Sequence, residues 1–296
     1  MAEEEKKVRG NLSLWIQGAR PRTLGAALAP VLVGTAVASR YGPVIWWRAL
    51  VALVVALALQ VGVNYANDYS DGVRGVDRQR KGPVRLTASG LVPARSVRRA
   101  ALLAFGVGAV AGLVLALAVD LRLILVGVAA IGGAALYSGG PRPYASAGLG
   151  EVSVLVFFGL VATCGSAYVQ LERVPWLAVG GAVAVGLLAC AILLVNNLRD
   201  VESDAASGKR TLAVRIGPAA TRSLYTATVA GGLAAPLALA PVAPGALLAL
   251  AAAPLAAGPV RTVATRRDPR SLVAALVGTA RLQLVLSVLL AVGLWL

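Results

Sequence analysis

The sequence predicts an all-α, polytopic membrane bundle of about nine transmembrane helices, with the N-terminus cytoplasmic and the C-terminus outside. Three observations predict it. Hydrophobic residues form 58% of the 296 positions and charged residues only 14%, with a mean hydropathy of +0.78; a soluble domain carries roughly a quarter charged residues. Apolar runs of about 18–22 residues recur along the whole length, each long enough to cross a hydrocarbon core of ~30 Å. Finally, if the N-terminus is inside, 23 of the 28 Lys and Arg residues fall in cytoplasmic loops and only Arg40, Arg48, Arg122 and Arg173 fall outside, the asymmetry that orients membrane proteins.

In chain order, residues 1–18 read as a polar tail, including a run Glu3-Glu-Glu-Lys-Lys7 with the composition of a disordered segment. They lack the short apolar core and small-residue cleavage site of a secretory leader. A single transmembrane domain is expected over 19–296. Its apolar segments are 23–40, 46–66, 100–119, 121–138, 150–170, 175–195, 222–240, 244–262 and 272–296, the seventh and eighth parted only by Pro241-Val-Ala-Pro244. The net charge of +15 belongs to loops facing anionic lipid and an anionic substrate, and nucleic-acid binding is not expected from basic residues flanked by membrane spans. Cys164 and Cys190 fall inside apolar segments and read as packing residues. The chain has no histidine, which excludes histidine-based general-base catalysis and most zinc and haem schemes.

Two acidic clusters stand out against this background. The first reads Asn64-x-x-Asn67-Asp68-x-x-Asp71, followed by Asp77; the second reads Asn196-Asn197-x-Arg199-Asp200-x-Glu202-x-Asp204. Gln60, Asn64, Asp68 and Asp71 recur at i, i+4, i+8 and i+11, one face of a helix. Asn196, Asp200 and Asp204 recur at i, i+4 and i+8. Each set begins inside the cytoplasmic end of an apolar segment, the second and the sixth, so both lie on one side of the membrane. Carboxylates at the mouth of a membrane bundle are costly unless a cation sits between them. The expected metal ligands are Asn64, Asp68, Asp71, Asn196, Asp200 and Asp204, a hard oxygen set suited to Mg2+.

Basic residues follow each cluster: Arg74, Arg78, Arg80, Lys81 and Arg85 after the first, with a turn at Lys81-Gly-Pro83, and Lys209 and Arg210 after the second. Metal on one side and Lys or Arg on the other suits a diphosphate, for which Lys81, Arg85, Lys209 and Arg210 are the candidates. A third stretch, from Tyr137 to Tyr144, is rich in Gly and Pro and reads as a non-helical cover over the cavity, with Glu151 opening the next helix. Arg281 lies in the last apolar segment, where an unpaired charge costs ~2.5–3.5 kcal/mol on insertion scales; it is expected to face the cavity or a partner.

The blocks 64–77, 137–159 and 196–217 resemble the motifs of the UbiA-type intramembrane prenyltransferases, and within them the MenA-type 1,4-dihydroxy-2-naphthoate polyprenyltransferase branch. The spacing departs from the wider superfamily at Asp77, which five residues separate from Asp71. The resemblance implies nine helices around a central cavity open sideways to lipid. It also implies Mg2+-assisted departure of diphosphate from a polyprenyl diphosphate, with the allylic cation attacked by the acceptor ring and CO2 lost. On that reading Asp68, Asp71, Asp200 and Asp204 are catalytic. Tyr65, Asn67, Tyr69, Tyr137, Tyr144 and Asn197 are candidates for the aromatic and prenyl site. The alternatives are another aromatic acceptor, such as 4-hydroxybenzoate, homogentisate or a chlorophyll precursor; a cation transporter; and a non-catalytic membrane scaffold. The carboxylates at one face beside basic loops disfavour the transporter, whose ionisable groups sit nearer the midplane.

Overall fold

The computed structural model describes residues 12–75, 85–140 and 143–296. Every regular element among them is helical. Residues 12–19, read from the sequence as the end of a polar tail, form helix α1. Then come α2 (Gly25–Ser39), α3 (Trp46–Val73), α4 (Ala94–Ala118) and α5 (Leu123–Ser138). A 3-10 turn over Tyr144–Ala147 leads to α6 (Gly150–Val154), which continues through a π-helical segment, Leu155–Val161, into α7 (Ala162–Leu171). The chain ends with α8 (Trp176–Arg199), α9 (Val201–Ala206), α10 (Leu212–Leu239), a 3-10 segment Pro244–Ala252, α11 (Pro254–Thr265) and α12 (Pro269–Trp295).

Each expected apolar segment falls on one or more of these helices. By length and composition, five are able to cross a membrane: α3, α4, the α6–α7 run, α8 and α12. Two bent pairs bring the number to seven if each is one span: Leu12–Thr23 with α2, bent by 49°, and Pro244–Ala252 with α11, bent by 47°. α5, with 16 residues, is shorter. α10 begins earlier than the expected 222–240, but its backbone leaves helical geometry at Gly217 (φ 79°, ψ 164°), just before Pro218. Leu212–Ile216 is therefore a separate turn leading into the apolar segment.

α8 is the hub. Its mostly small and aliphatic face is buried against α2, α10, α12 and the π-helical segment. Without a strong hydrophobic drive between helices in lipid, close packing decides such contacts. Gly159 of the π segment permits it: a Cβ there would stand 2.9 Å from Gly186 Cα on α8. At the opposite end from the acidic clusters, Trp46 stacks on Trp295 at 5.7 Å and ties the start of α3 to the end of α12. α5 is the least embedded, with Ser138 its only buried residue.

The helices enclose a cavity of about 1660 Å3. Its apolar walls come from α2, α3, α4, α5 and the π segment, including Leu59, Ile131 and Phe157. Its polar end is built from the C-terminal halves of α3 and α8.

Candidate functional site

The first acidic cluster occupies the last turns of α3 and the second begins in the last turn of α8, where carbonyl ends and the macrodipole are already negative. Carboxylates there deepen a negative potential, so the site calls for cations. On α3 the helical period brings Asn64, Asn67, Asp68 and Asp71 to the cavity wall. On the facing wall stand Asn196, Asn197, Arg199, Asp200 and Asp204. The second set is not on one continuous helix as its spacing suggests. α8 ends at Arg199, Asp200 sits at the junction (φ −96°, ψ 5°), and Asp204 belongs to α9.

Asp68, only 2% exposed, accepts the backbone N–H groups of Leu86 (2.9 Å) and Thr87 (2.8 Å). It therefore pins the segment after the first cluster against α3. Asp71 faces Lys209 Nζ at 3.2 Å. Gly208 makes that reach possible, since its φ of 78° is a left-handed conformation that costs glycine least, and the Lys209 N–H donates to Asp204 O. Asn64 donates its amide N–H to Ala19 O at 2.9 Å.

Asp200 is held by its chain neighbour. Arg199 Nη2 and Nε donate to its two carboxylate oxygens at 2.6 and 2.8 Å, and Nη2 also donates to Asn196 Oδ1 at 2.9 Å. Both side chains of the pair are under 10% exposed. Arg199 was visible in the sequence only as part of a motif; the cue to its role was an arginine flanked by two expected ligands at the end of an apolar helix. Arg20 and Arg22, with no motif to mark them, also line the cavity.

Of the expected diphosphate residues, Arg85 and Lys209 line the cavity. Arg210 does not: its side chain is exposed, and its backbone N–H donates to Ser146 O at 3.1 Å, anchoring the Tyr144–Ala147 turn. Lys81 and Asp77 lie outside the described residues, as do Arg78 and Arg80. Tyr137 and Tyr144 line the cavity, ring to ring edge-on at 5.6 Å, and Tyr144 Oη donates to Gly133 O at 2.6 Å. Tyr65 and Tyr69 are corrected. They lie one position after Asn64 and Asp68, 100° around the helix, and pack away from the cavity in a cluster with Leu86 and Val92. Tyr65 Oη donates to Trp15 O at 2.8 Å. Of the two places expected for Arg281, the cavity is excluded: it is exposed on the outer face of α12.

The donor set is carboxylate and amide oxygen throughout, the set that hard divalent cations select. Among the described residues no three acidic side chains converge on one point. Each wall thus offers a partial set, fitted to an ion whose remaining positions are filled by water and phosphate oxygens.

The model of the UbiA prenyltransferase family matches residues 27–285. The chain belongs to the UbiA prenyltransferase family. Among its curated relatives, 1,4-dihydroxy-2-naphthoate octaprenyltransferase of Mycobacterium tuberculosis is 54% identical over 228 residues, covering 76% of this chain and 78% of that protein. The Escherichia coli protein of the same name is 39% identical over 233 residues, covering 74% and 73%. Solved UbiA-family structures share the fold at lower identity. An apo UbiA homolog from Aeropyrum pernix K1 has a TM-score of 0.66 at 17% identity over 91% of this chain and 96% of that one. A homolog from Archaeoglobus fulgidus, bound to GPP and Mg2+, has a TM-score of 0.62 at 16% identity over 93% and 99%.

Proposed function

We propose that this UbiA-family chain transfers a polyprenyl group from polyprenyl diphosphate to 1,4-dihydroxy-2-naphthoate, releasing diphosphate and CO2 and giving the prenylated dihydroxynaphthalene, the quinol form of demethylmenaquinone. The observation that carries it is one cavity with two chemically opposite ends: an oxygen-rich, carboxylate-lined mouth and an apolar interior with room for an isoprenoid. The 54% identity to a naphthoate octaprenyltransferase supports this acceptor.

The chemistry follows from the arrangement. The prenyl C1–O bond breaks and its electron pair leaves with the diphosphate. Mg2+, held by Asn64, Asp68 and Asp71 on one wall and Asn196, Asp200 and Asp204 on the other, would neutralise that leaving group. Lys209 and Arg85 take phosphate oxygens, and Arg199 keeps the buried Asp200 charge compensated. The apolar wall excludes water from the allylic cation, and the rings of Tyr137 and Tyr144 offer it π faces. The naphthoate ring carbon then bonds to C1, and the C–CO2 bond returns its electrons to the ring. No base is required at the attacked carbon, in keeping with a chain free of histidine.

In the membrane this reading places nine crossings, the N-terminus and the acidic mouth on the cytoplasmic side, and the C-terminus outside, in the cell membrane. The lysine and arginine asymmetry of the loops supports it.

The test is an assay in nanodiscs with polyprenyl diphosphate, Mg2+ and 1,4-dihydroxy-2-naphthoate, alongside 4-hydroxybenzoate and homogentisate. Prenylated, decarboxylated naphthalene product is expected only with the first acceptor, and none with EDTA. Asp71→Asn and Asp200→Asn should each lower kcat by about 100-fold, the scale of losing one preorganised electrostatic group. Turnover with another acceptor alone would overturn the naphthoate assignment; full activity in EDTA would overturn the metal.

A further inference from the structure

The proposed mechanism leaves one buried acid unused. Glu151 opens α6, only 7% exposed, behind the cavity wall that Tyr144, Ser153, Val154 and Asn197 line. Its Oε1 accepts the Asn197 side-chain N–H at 2.9 Å. Its Oε2 is buried and accepts no hydrogen bond from any described residue. Asn197 stands beside the second acidic cluster but faces away from the metal-ligand set towards α6, and it lines the cavity. Tyr137 completes the group: its hydroxyl lies 3.4 Å from where a Cβ on Gly150 would stand.

A buried carboxylate with an unused oxygen is costly, and ordinary packing would place an aliphatic residue here. In this contact the Glu151 carboxyl is the acceptor, through Oε1. By taking the Asn197 N–H it fixes which end of that amide looks elsewhere. With one amide N–H taken by Glu151, the carbonyl is the acceptor that Asn197, which lines the cavity, has left to offer a ligand. That selects between the two substrates of the proposed reaction. A polyprenyl diphosphate has a hydrocarbon tail and an anionic head, and an acceptor oxygen helps neither. The dihydroxynaphthoate ring carries two hydroxyl donors.

We propose that Glu151 is a positioning residue for the aromatic acceptor: it holds Asn197 so that the Asn197 carbonyl takes a ring hydroxyl and sets the ring's orientation in the cavity. This rests on the naphthoate prenyltransferase reading above. The hydroxyl keeps its proton throughout, so the step needs no further reactant. A hydrogen bond from hydroxyl to carbonyl also leaves more electron density on the ring that attacks the allylic carbon.

The experiment measures KM for donor and acceptor separately, in nanodiscs, for Glu151→Gln, Glu151→Leu, Asn197→Leu and the Leu/Leu double variant. It uses 1,4-dihydroxy-2-naphthoate and its two monohydroxy analogues, with gel filtration to select folded protein. Glu151→Leu should raise the acceptor KM about 10-fold or more, the scale at which a site built for a hydroxyl loses it, with donor KM within twofold. Glu151→Gln, whose carbonyl can still accept the Asn197 N–H, should stay close to wild type. The double variant should be no worse than either single one, since the two act as a unit. On the analogue lacking the recognised hydroxyl, the Glu151→Leu penalty should vanish. Donor and acceptor KM rising together, equal penalties on all three acceptors, or Glu151→Gln failing like Glu151→Leu would each overturn the proposal. If Glu151→Leu does not fold, Glu151→Gln and Asn197→Leu still decide it. Wild-type protein inactive on every naphthoate would instead sink the underlying reaction.

Discussion

At the scale of single residues, the site is a set of negative charges each given a local counterpart: two backbone amides for Asp68, Lys209 for Asp71 and Arg199 for Asp200. Removing one partner of a buried pair leaves an uncompensated charge, typically a loss of about 3–5 kcal/mol. Arg199→Met should therefore lower the melting temperature sharply, while Arg199→Met with Asp200→Leu recovers most of that loss and stays inactive. Thermal unfolding followed by tryptophan fluorescence separates the two; a single variant as stable as wild type would mean the pair carries no structural weight. Much of this site could be read beforehand. Asn64, Asp68 and Asp71 were legible because a repeat of four in an apolar helix fixes a face. The same repeat argues against Tyr65 and Tyr69, which residue type alone had placed inside. For Arg281 the cost of a charge in lipid left two places, the cavity or a partner, and only the packing of α12 excludes the first. Glu151 could not be found by type or spacing, because what marks it is an unmet hydrogen bond.

At the scale of elements, helix identity was written in the apolar runs, but the interruptions that shape the cavity were not. The π segment Leu155–Val161 sits within an unbroken apolar run, and nothing in its side chains announces the change of pitch. It is held by the glycine contact with α8, where Gly159→Val should cost roughly 1–3 kcal/mol as two backbones are forced apart. Loss of folded yield in detergent, with Gly165→Ala unaffected because a Cβ there meets nothing within 4 Å, would locate the effect at the interface. α12 begins at a cap that was not anticipated: the Asp268 side chain accepts the Ser271 N–H at 2.8 Å. Those hydrogen bonds to Ser271 hold its carboxyl below the usual aspartate range. A lowered value in the folded state favours folding above the unfolded value, ~3.9, and that gain is lost as pH falls through the folded one. Asp268→Ala should melt earlier than wild type at pH 7, and the gap should close as pH drops below about 4; a gap constant with pH would remove the charge from the explanation.

At the scale of the molecule, the fold class was legible in composition and in the recurrence of long apolar runs, whereas the cavity, which no single segment encodes, was reached through motif spacing and resemblance. Five helices meet the length and hydropathy needed to cross a membrane, and two bent pairs raise that to seven; α5 and α10 carry the nine-crossing proposal. A C-terminal reporter active only outside the cytoplasm is expected from an odd number of crossings. Fluorescence from a cytoplasm-only reporter at the same position would require an even number and a new assignment for α5 or α10.

α5 has 16 residues, so it is about 24 Å long at 1.5 Å per residue, against a hydrocarbon core of ~30 Å. On the nine-crossing proposal, the lipid leaflets beside it must dimple or the helix ends must draw water inward, each at a fraction of a kcal/mol per Å. With that topology the protein would set the local membrane thickness along this flank, and bilayer composition would become a variable of the enzyme.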